Sequence, residues 1–346
     1  MSNDVLFSVA DGIAEITLNR PAAMNALSLG MAEALMAQLS AWTKDDTVRA
    51  VVIRGAGDKA FCAGGDIRAM YDTKQTGGTL TVDFFRAEYR LNHLVFHYPK
   101  PYIALIDGVA MGGGVGLSVH AGTRIASART LFAMPETGIG LFPDVGGSYF
   151  LPRCPGAIGM YLALTGARLR AADCRYSGIV DSYIEDDYHD DFISALRQGE
   201  SVDDAVSRFS GDTGPAPLSE HKEAIDRCFS QGTVEEIQSM LEREGGPWAE
   251  KTLQIMAGKS PTSQKVARRQ LRNGAAMGFD DCMVMEYRMS QHFMAGHDFF
   301  EGVRALIVDK DNAPQWQPDT LAGVDDAMVE SYFAPLGADD LTFNRI

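Results

Sequence analysis

The sequence predicts an α/β core followed by a mostly helical C-terminal region, and three observations carry the prediction. Short strand-like runs alternate with helical runs through the first 200 residues, the order expected of packed α/β layers. Glycine clusters stand where strands give way to helices, marking turns in which bare backbone can meet a ligand. From about Asp186 onward, acidic helix-favouring segments follow one another without convincing strands. That change places a boundary near residues 195–210, between a core of residues 1–200 and a helical region of residues 201–346.

Leu6, Val9, Ile13, Ile16 and Leu18 alternate around Asp11-Gly12, which reads as a β-hairpin ended by Pro21. Ser28 can cap a helix whose apolar positions Met31, Leu35, Leu39 and Trp42 recur at three- and four-residue steps as far as Lys44. Arg49 to Arg54 is a short strand closed by Gly55, residues 80–97 form an amphipathic helix ended by Pro99 and Pro101, and Tyr102 to Ile106 is the next strand. The turn Gly112-Gly113-Gly114-Val115-Gly116 opens a short helix through His120. Strand-like pieces at 124–126 and 131–134 precede a Gly- and Pro-rich loop from Pro135 to Gly147. Helices are then expected at 202–209, 220–229, 234–243, 264–277, 280–293 and 299–308.

The 346 residues carry 31 Lys and Arg against 46 Asp and Glu, a net charge of −15, which argues against nucleic acid because phosphate-tracking surfaces need clustered cations. No apolar run approaches the roughly 20 residues that span a bilayer. The opening Met1-Ser2-Asn3-Asp4-Val5-Leu6 has neither a basic-then-apolar leader nor an Arg-rich transit pattern, so a cytoplasmic location is expected. Cys62, Cys154, Cys174, Cys228 and Cys282 are scattered without CxxC spacing, which suggests neither a disulfide framework nor a zinc site. A polyanionic ligand would need local cations to overcome the global field; Arg20, Arg54, Lys59 and Arg68 are the nearest in sequence to the glycine clusters.

Several signatures fail on inspection. Leu117 and Val119 stand where a dinucleotide turn needs its last glycine. Gly146-Gly147-Ser148-Tyr149-Phe150 breaks the nucleophile-elbow pattern at its last position. His93 and His97 are one helical turn apart, but Leu94 replaces the glutamate of the zincin motif, so no metal is expected. What remains is three clusters: Ala60-Phe61-Cys62-Ala63-Gly64-Gly65-Asp66-Ile67-Arg68, Asp107-Gly108-Val109-Ala110-Met111-Gly112-Gly113-Gly114, and Phe132 to Gly138 running on to Phe142-Pro143-Asp144-Val145-Gly146-Gly147. One backbone N–H from each of the first two could hold an enolate or tetrahedral oxyanion. Glu136 and Asp144 in the third are carboxylates in apolar surroundings, where desolvation raises the pKa toward the range useful for acid–base work. Each cluster alone could serve an ordinary turn.

Together the clusters resemble the crotonase (enoyl-CoA hydratase/isomerase) superfamily, from Asn19-Arg20-Pro21…Asn25-Ala26-Leu27 through Ser260-Pro261 to Phe300-Glu301-Gly302-Val303-Arg304-Ala305. The resemblance implies a spiral of ββα units with a helical C-terminal region, an acyl-CoA substrate, no separate cofactor and association into a homo-oligomer. It implies an oxyanion hole of Gly65 and Gly113 N–H groups, pantetheine and adenosine contacts around Gly65, Asp66, Ile67 and Arg68, and a substrate contact from Glu88. Hydratases of the family place a glutamate three residues beyond the middle glycine, where this chain has Gly116. That departure, with Met111 to Ser118 and Ala133 to Gly147, resembles instead the 3-hydroxyisobutyryl-CoA hydrolase branch, with Glu136 and Asp144 catalytic. A hydratase or isomerase is the second expectation, and a CoA-binding module without turnover the third.

Overall fold

The computed structural model describes residues 3–343; Met1 and Ser2, part of the leader reading, lie outside the described residues. The expected hairpin is β1 (Val5–Ala10) against β2 (Ile13–Leu18), antiparallel from Val5↔Leu18 to Ala10↔Ile13. Helix α1 (Leu29–Thr43) starts at Ser28, whose hydroxyl accepts from Met31 N at 3.3 Å, and buries Met31, Leu35, Leu39 and Trp42.

Three strand pairs follow, and each pair splits between two sheets. β3 (Ala50–Gly55) and β4 (Ala60–Cys62) lead into α2 (Ile67–Thr76) and α3 (Leu80–Phe96). β5 (Tyr102–Ile106) and β6 (Val109–Met111) lead into α4 (Gly113–Ser118), and β7 (Thr123–Ala126) precedes β8 (Leu131–Ala133). The first strand of each pair joins a six-stranded sheet completed by β9 (Ser182–Tyr183), in the order β1-β2-β3-β5-β7-β9; the second joins a three-stranded sheet, β4-β6-β8. All pairings but β1–β2 are parallel. This is the expected spiral of ββα units. The strand β6 and the helix α2 are not among the elements expected from the sequence, and β4 is expected only as the strand exit that opens the first glycine cluster.

Side chains of the larger sheet alternate between two cores, as the two-residue period of a strand requires. Val51, Ile53, Ala104 and Ile106 face the main core with α1, while Val52, Ile103 and Leu105 face the helices His189–Arg197 and Val202–Phe209. The expected boundary at residue 200 falls between those two helices, which pack on the same sheet face. Among the described residues no strand follows β9. The C-terminal helices Pro261–Gly274 and Phe279–Ala295 share the main hydrophobic core with α1 and α3. The helix Gly246–Ala257 falls outside the expected helices; it carries Pro247 in its first turn, where proline has no penalty.

Candidate active site

The small sheet explains why three clusters far apart in sequence meet. β4, β6 and β8 are adjacent and parallel, so their C-terminal ends lie on one edge, the place where α/β sheets bind ligands. β4 exits into Ala63-Gly64-Gly65, β6 into Gly112-Gly113, and β8 into Met134-Pro135-Glu136. The first exit is braced by the Asn19–Leu27 segment. Leu27 N donates to Gly64 O at 2.8 Å and Leu27 O accepts from Asp66 N at 2.9 Å, a bridge that leaves the Gly65 N–H unused. The buried Asn25 side chain holds that segment by donating to Ala56 O and Ala60 O. Gly113 opens α4, where an N–H has no partner one turn earlier, and Gly112 makes the bend with φ 44° and ψ −120°. A Cβ on Gly113 would stand 3.4 Å from Gly65 N and 2.5 Å from Glu88 Oε1, so two bare amides and a carboxyl meet in one place.

These groups line a cavity of about 950 Å³ with Glu136, Asp144, Phe84, Ile139 and Trp248. Glu88, Glu136 and Asp144 are all at most 5% exposed. Burial, then the charges of Asp144, Glu136 and Glu286, holds Glu88 well above the usual carboxylate range. Burial and Asp144 do the same to Glu136, with Lys259 opposing. Burial pushes Asp144 up to about 7 although Tyr89 O–H, donating at 3.0 Å, pulls it down. Glu88 Oε1 and Glu136 Oε2 have no hydrogen-bond partner among the described residues. Buried polar atoms are seldom left so, and both residues line the cavity, where a polar ligand could supply the partner.

Gly65, Gly113, Glu88, Glu136, Asp144 and Ile67 therefore come together around the cavity. Asp66 and Arg68 do not: Asp66 caps α2 through Ala69 N and pairs with Arg20, and Arg68 faces Asp72 on the exposed side of the same helix. Both sit at the start of a helix whose inner face belongs to Ile67 and Met70. Among the described residues none of Arg20, Arg54, Lys59 and Arg68 lines the cavity; Arg54 is engaged by Glu15 and Asp190. The cations on the cavity wall are Arg168, Lys251 and Lys259. The sequence reading gives no role to them, nor to Tyr89 and Glu286, because none of the five adjoins a glycine cluster along the chain.

Gly116 is more than a missing side chain. A Cβ there would be 2.6 Å from Asn92 Nδ2 and 2.8 Å from Val145 Cβ, so the space is already filled. Outside the cavity, His93, His97 and Asp280 have the spacing to hold a divalent ion, but His97 Nε2 and Asp280 Oδ1 already share a hydrogen bond of 2.8 Å that accounts for their closeness. Among the described residues no helix is long and apolar enough to cross a membrane, and all five cysteines are buried as free thiols.

Residues 13–333 match the family model described as enoyl-CoA hydratase/isomerase. The mitochondrial 3-hydroxyisobutyryl-CoA hydrolase of Danio rerio is 47% identical over 98% of this chain and 91% of its own length, and that of Homo sapiens 43% identical over 95% and 88%. A crystal structure described as a carnitinyl-CoA dehydratase from Mycobacterium thermoresistibile superposes with a TM-score of 0.94 at 41% identity, covering 99% of both chains. One described as an enoyl-CoA hydratase from Rhodobacter sphaeroides gives 0.92 at 38%, covering 98% of this chain and all of that one. The relatives' names overturn the cytoplasmic expectation: they are mitochondrial proteins, and the expectation rests on the composition of six N-terminal residues alone. With the family's model spanning nearly the whole chain and relatives close to half identical along it, the protein belongs to the enoyl-CoA hydratase/isomerase family.

Proposed function

We propose that this chain is a thioester hydrolase that cleaves 3-hydroxyisobutyryl-CoA to 3-hydroxyisobutyrate and CoA. The carrying observation is that Glu136 and Asp144 line the same cavity as the bare Gly65 and Gly113 amides, while the space beside Gly116, from which a hydratase would present its first glutamate, is filled by Asn92 and Val145. The names of the relatives agree with it. The thioester carbonyl oxygen would point at the two N–H groups, which stabilise the negative charge that develops on it as the carbonyl is attacked. Glu136 either attacks that carbon or takes a proton from the water that does, and the C–S bond breaks to release the CoA thiolate, which is protonated; on the first route a water then cleaves the Glu136–acyl anhydride to free the 3-hydroxyisobutyrate and regenerate the carboxylate. Lys259 favours the ionised Glu136 that either route needs. Asp144, near 7, can give or take a proton at neutral pH and can accept from the substrate hydroxyl. Arg168 and Lys251 on the cavity wall suit the phosphates of CoA.

The names of the two structural neighbours favour a second reading, hydration of an enoyl-CoA. A thiol reagent separates the two: free CoA should appear from 3-hydroxyisobutyryl-CoA at an enzymatic rate. Hydration of crotonyl-CoA without release of CoA from the hydroxyacyl thioester would overturn the proposal. A single turnover in ¹⁸O-water then reads the role of Glu136, since label entering its carboxyl marks a covalent acyl-enzyme.

A further inference from the structure

We infer that Glu286, on the C-terminal helix Phe279–Ala295, is a positioning residue for the reaction: it fixes the loop that presents Asp144. The inference rests on the hydrolase reading, since it concerns how that reaction's second carboxylate is held.

The loop Pro143-Asp144-Val145-Gly146-Gly147 does not take a shape its own residues favour. Val145 has φ 50°, a left-handed conformation that a β-branched side chain resists, and Gly146 follows at φ 90°. Such a conformation persists only when its surroundings impose it. Here the main constraint is Glu286, which is fully buried and accepts from Gly146 N through Oε2 and from Ser148 N through Oε1, both at 2.7 Å. A carboxylate in this fork ties together the two residues that flank Gly147, 140 positions away in sequence. Three other buried side chains complete the clamp. Gln270 Nε2 donates to Pro143 O at 2.6 Å and to Ser148 Oγ at 2.9 Å, and His120 Nε2 donates to Val145 O at 2.7 Å. Tyr89 O–H donates to Asp144 itself.

Glu286 is absent from the cavity wall, so it touches no substrate. Its reach is through the loop. A glutamine in its place would turn one acceptor into an NH₂ donor facing a backbone N–H, opening one prong of the fork while keeping side-chain volume. Burial pushes the Glu286 carboxyl up to about 8 against the opposing donors of Ser148 and Gly146, and its charge, when ionised, raises Glu88 and Glu136. The groups facing it are Gly146 and Ser148 of the loop, Gln270 of the neighbouring helix, and Asp144.

A double-mutant cycle on the full-length enzyme tests this. Glu286→Gln should lower kcat for 3-hydroxyisobutyryl-CoA by about 10- to 100-fold with KM changed by less than about threefold. In an Asp144→Asn background the same change should cost less than about twofold, because the group it positions is gone. Glu286→Asp, which keeps the charge but shortens the reach, should show the same non-additivity, and carries the test if the glutamine variant does not fold. Equal losses in both backgrounds, or a folded Glu286→Gln enzyme with wild-type kcat, would overturn the inference. Wild-type turnover is the control: no CoA release from the wild type sinks the hydrolase reading, whereas a normal wild type with additive losses sinks only the role of Glu286.

Discussion

The two carboxylates of the site are held in different ways, one by backbone and one by side chains, and the contrast between the supports is instructive. The turn carrying Glu136 is gripped by backbone packing: Ser260 N donates to Thr137 O at 3.1 Å, and the segment 298–302 lies so close that a Cβ on Gly140 would overlap Asp298 O and one on Gly302 would overlap Ile139. The loop carrying Asp144 is gripped by side chains instead, namely Glu286, Gln270, His120 and Tyr89. Strand exits of the first half thus bring the reacting groups, and helices of the second half, joined by Tyr89 and His120 of the first, hold them. A backbone clamp admits no substitution that adds volume. A side-chain clamp can be loosened one hydrogen bond at a time.

The comparison breaks most sharply at Glu136. Glu136→Gln should lower kcat by about 10³-fold, the range for loss of a nucleophile or general base. The same variant should melt higher than wild type. The folded pKa of Glu136 is raised above its unfolded value, so the stability linked to its proton is complete below pH 4.5 and lost as pH rises through the folded pKa. At pH 8 the wild type must bury a charge or keep a proton that its unfolded chain has given up; glutamine does neither. Thermal unfolding should show a gain of roughly 2–5 °C at pH 8, narrowing toward pH 4.5. A variant that loses activity and stability together would mean that Glu136 also holds the turn.

The backbone clamp is tested at Gly302. Gly302→Ala adds a methyl group against Ile139 in a closely packed contact, at a cost of about 1–3 kcal/mol. Because Ile139 ends the turn that begins at Glu136, kcat should fall by roughly tenfold or more with little change in KM. Unchanged kcat in a destabilised enzyme would show that the turn holds Glu136 without help from residues 298–302.

The split between bringing and holding also decides what could be read from the sequence. The hairpin, α1 and the three glycine clusters announce themselves locally, through alternation, a serine cap and turn residues. Glu136 and Asp144 stand beside those turns, so they were found. Glu286 was not, because it sits in a helix whose sequence reads as an ordinary amphipathic segment and its partners are about 140 residues away. Arg168, Lys251 and Lys259 were passed over for the same reason, and the wrong cations were favoured because nearness in sequence stood in for nearness in space. Arg54 shows the error plainly: it closes a strand beside the first cluster yet spends its charge on Glu15 and Asp190. Ser260-Pro261 and the 300–305 segment carried the resemblance without a visible reason; the structure supplies one, since both press on the Glu136 turn.

The side-chain clamp gives the smallest and most specific effect, at Tyr89. Its O–H donates to Asp144 Oδ2, which stabilises the charged carboxylate against the burial that raises its pKa to about 7. Tyr89→Phe removes that donor and leaves the ring, so the pKa should climb by roughly one unit, as expected for a hydrogen bond to a charged group. Whichever protonation state of Asp144 turnover uses, the limb of the kcat–pH profile near 7 must move upward. If the ionised form is needed, activity of the variant at pH 7 drops by several-fold and recovers by about pH 9; if the protonated form is needed, the variant stays active to higher pH than wild type. The direction of the change in rate therefore assigns the working state of Asp144, and the direction of the shift tests the clamp. An unmoved limb would mean that the titrating group is not Asp144, with Glu286, pushed to about 8 in the same buried cluster, the next to examine.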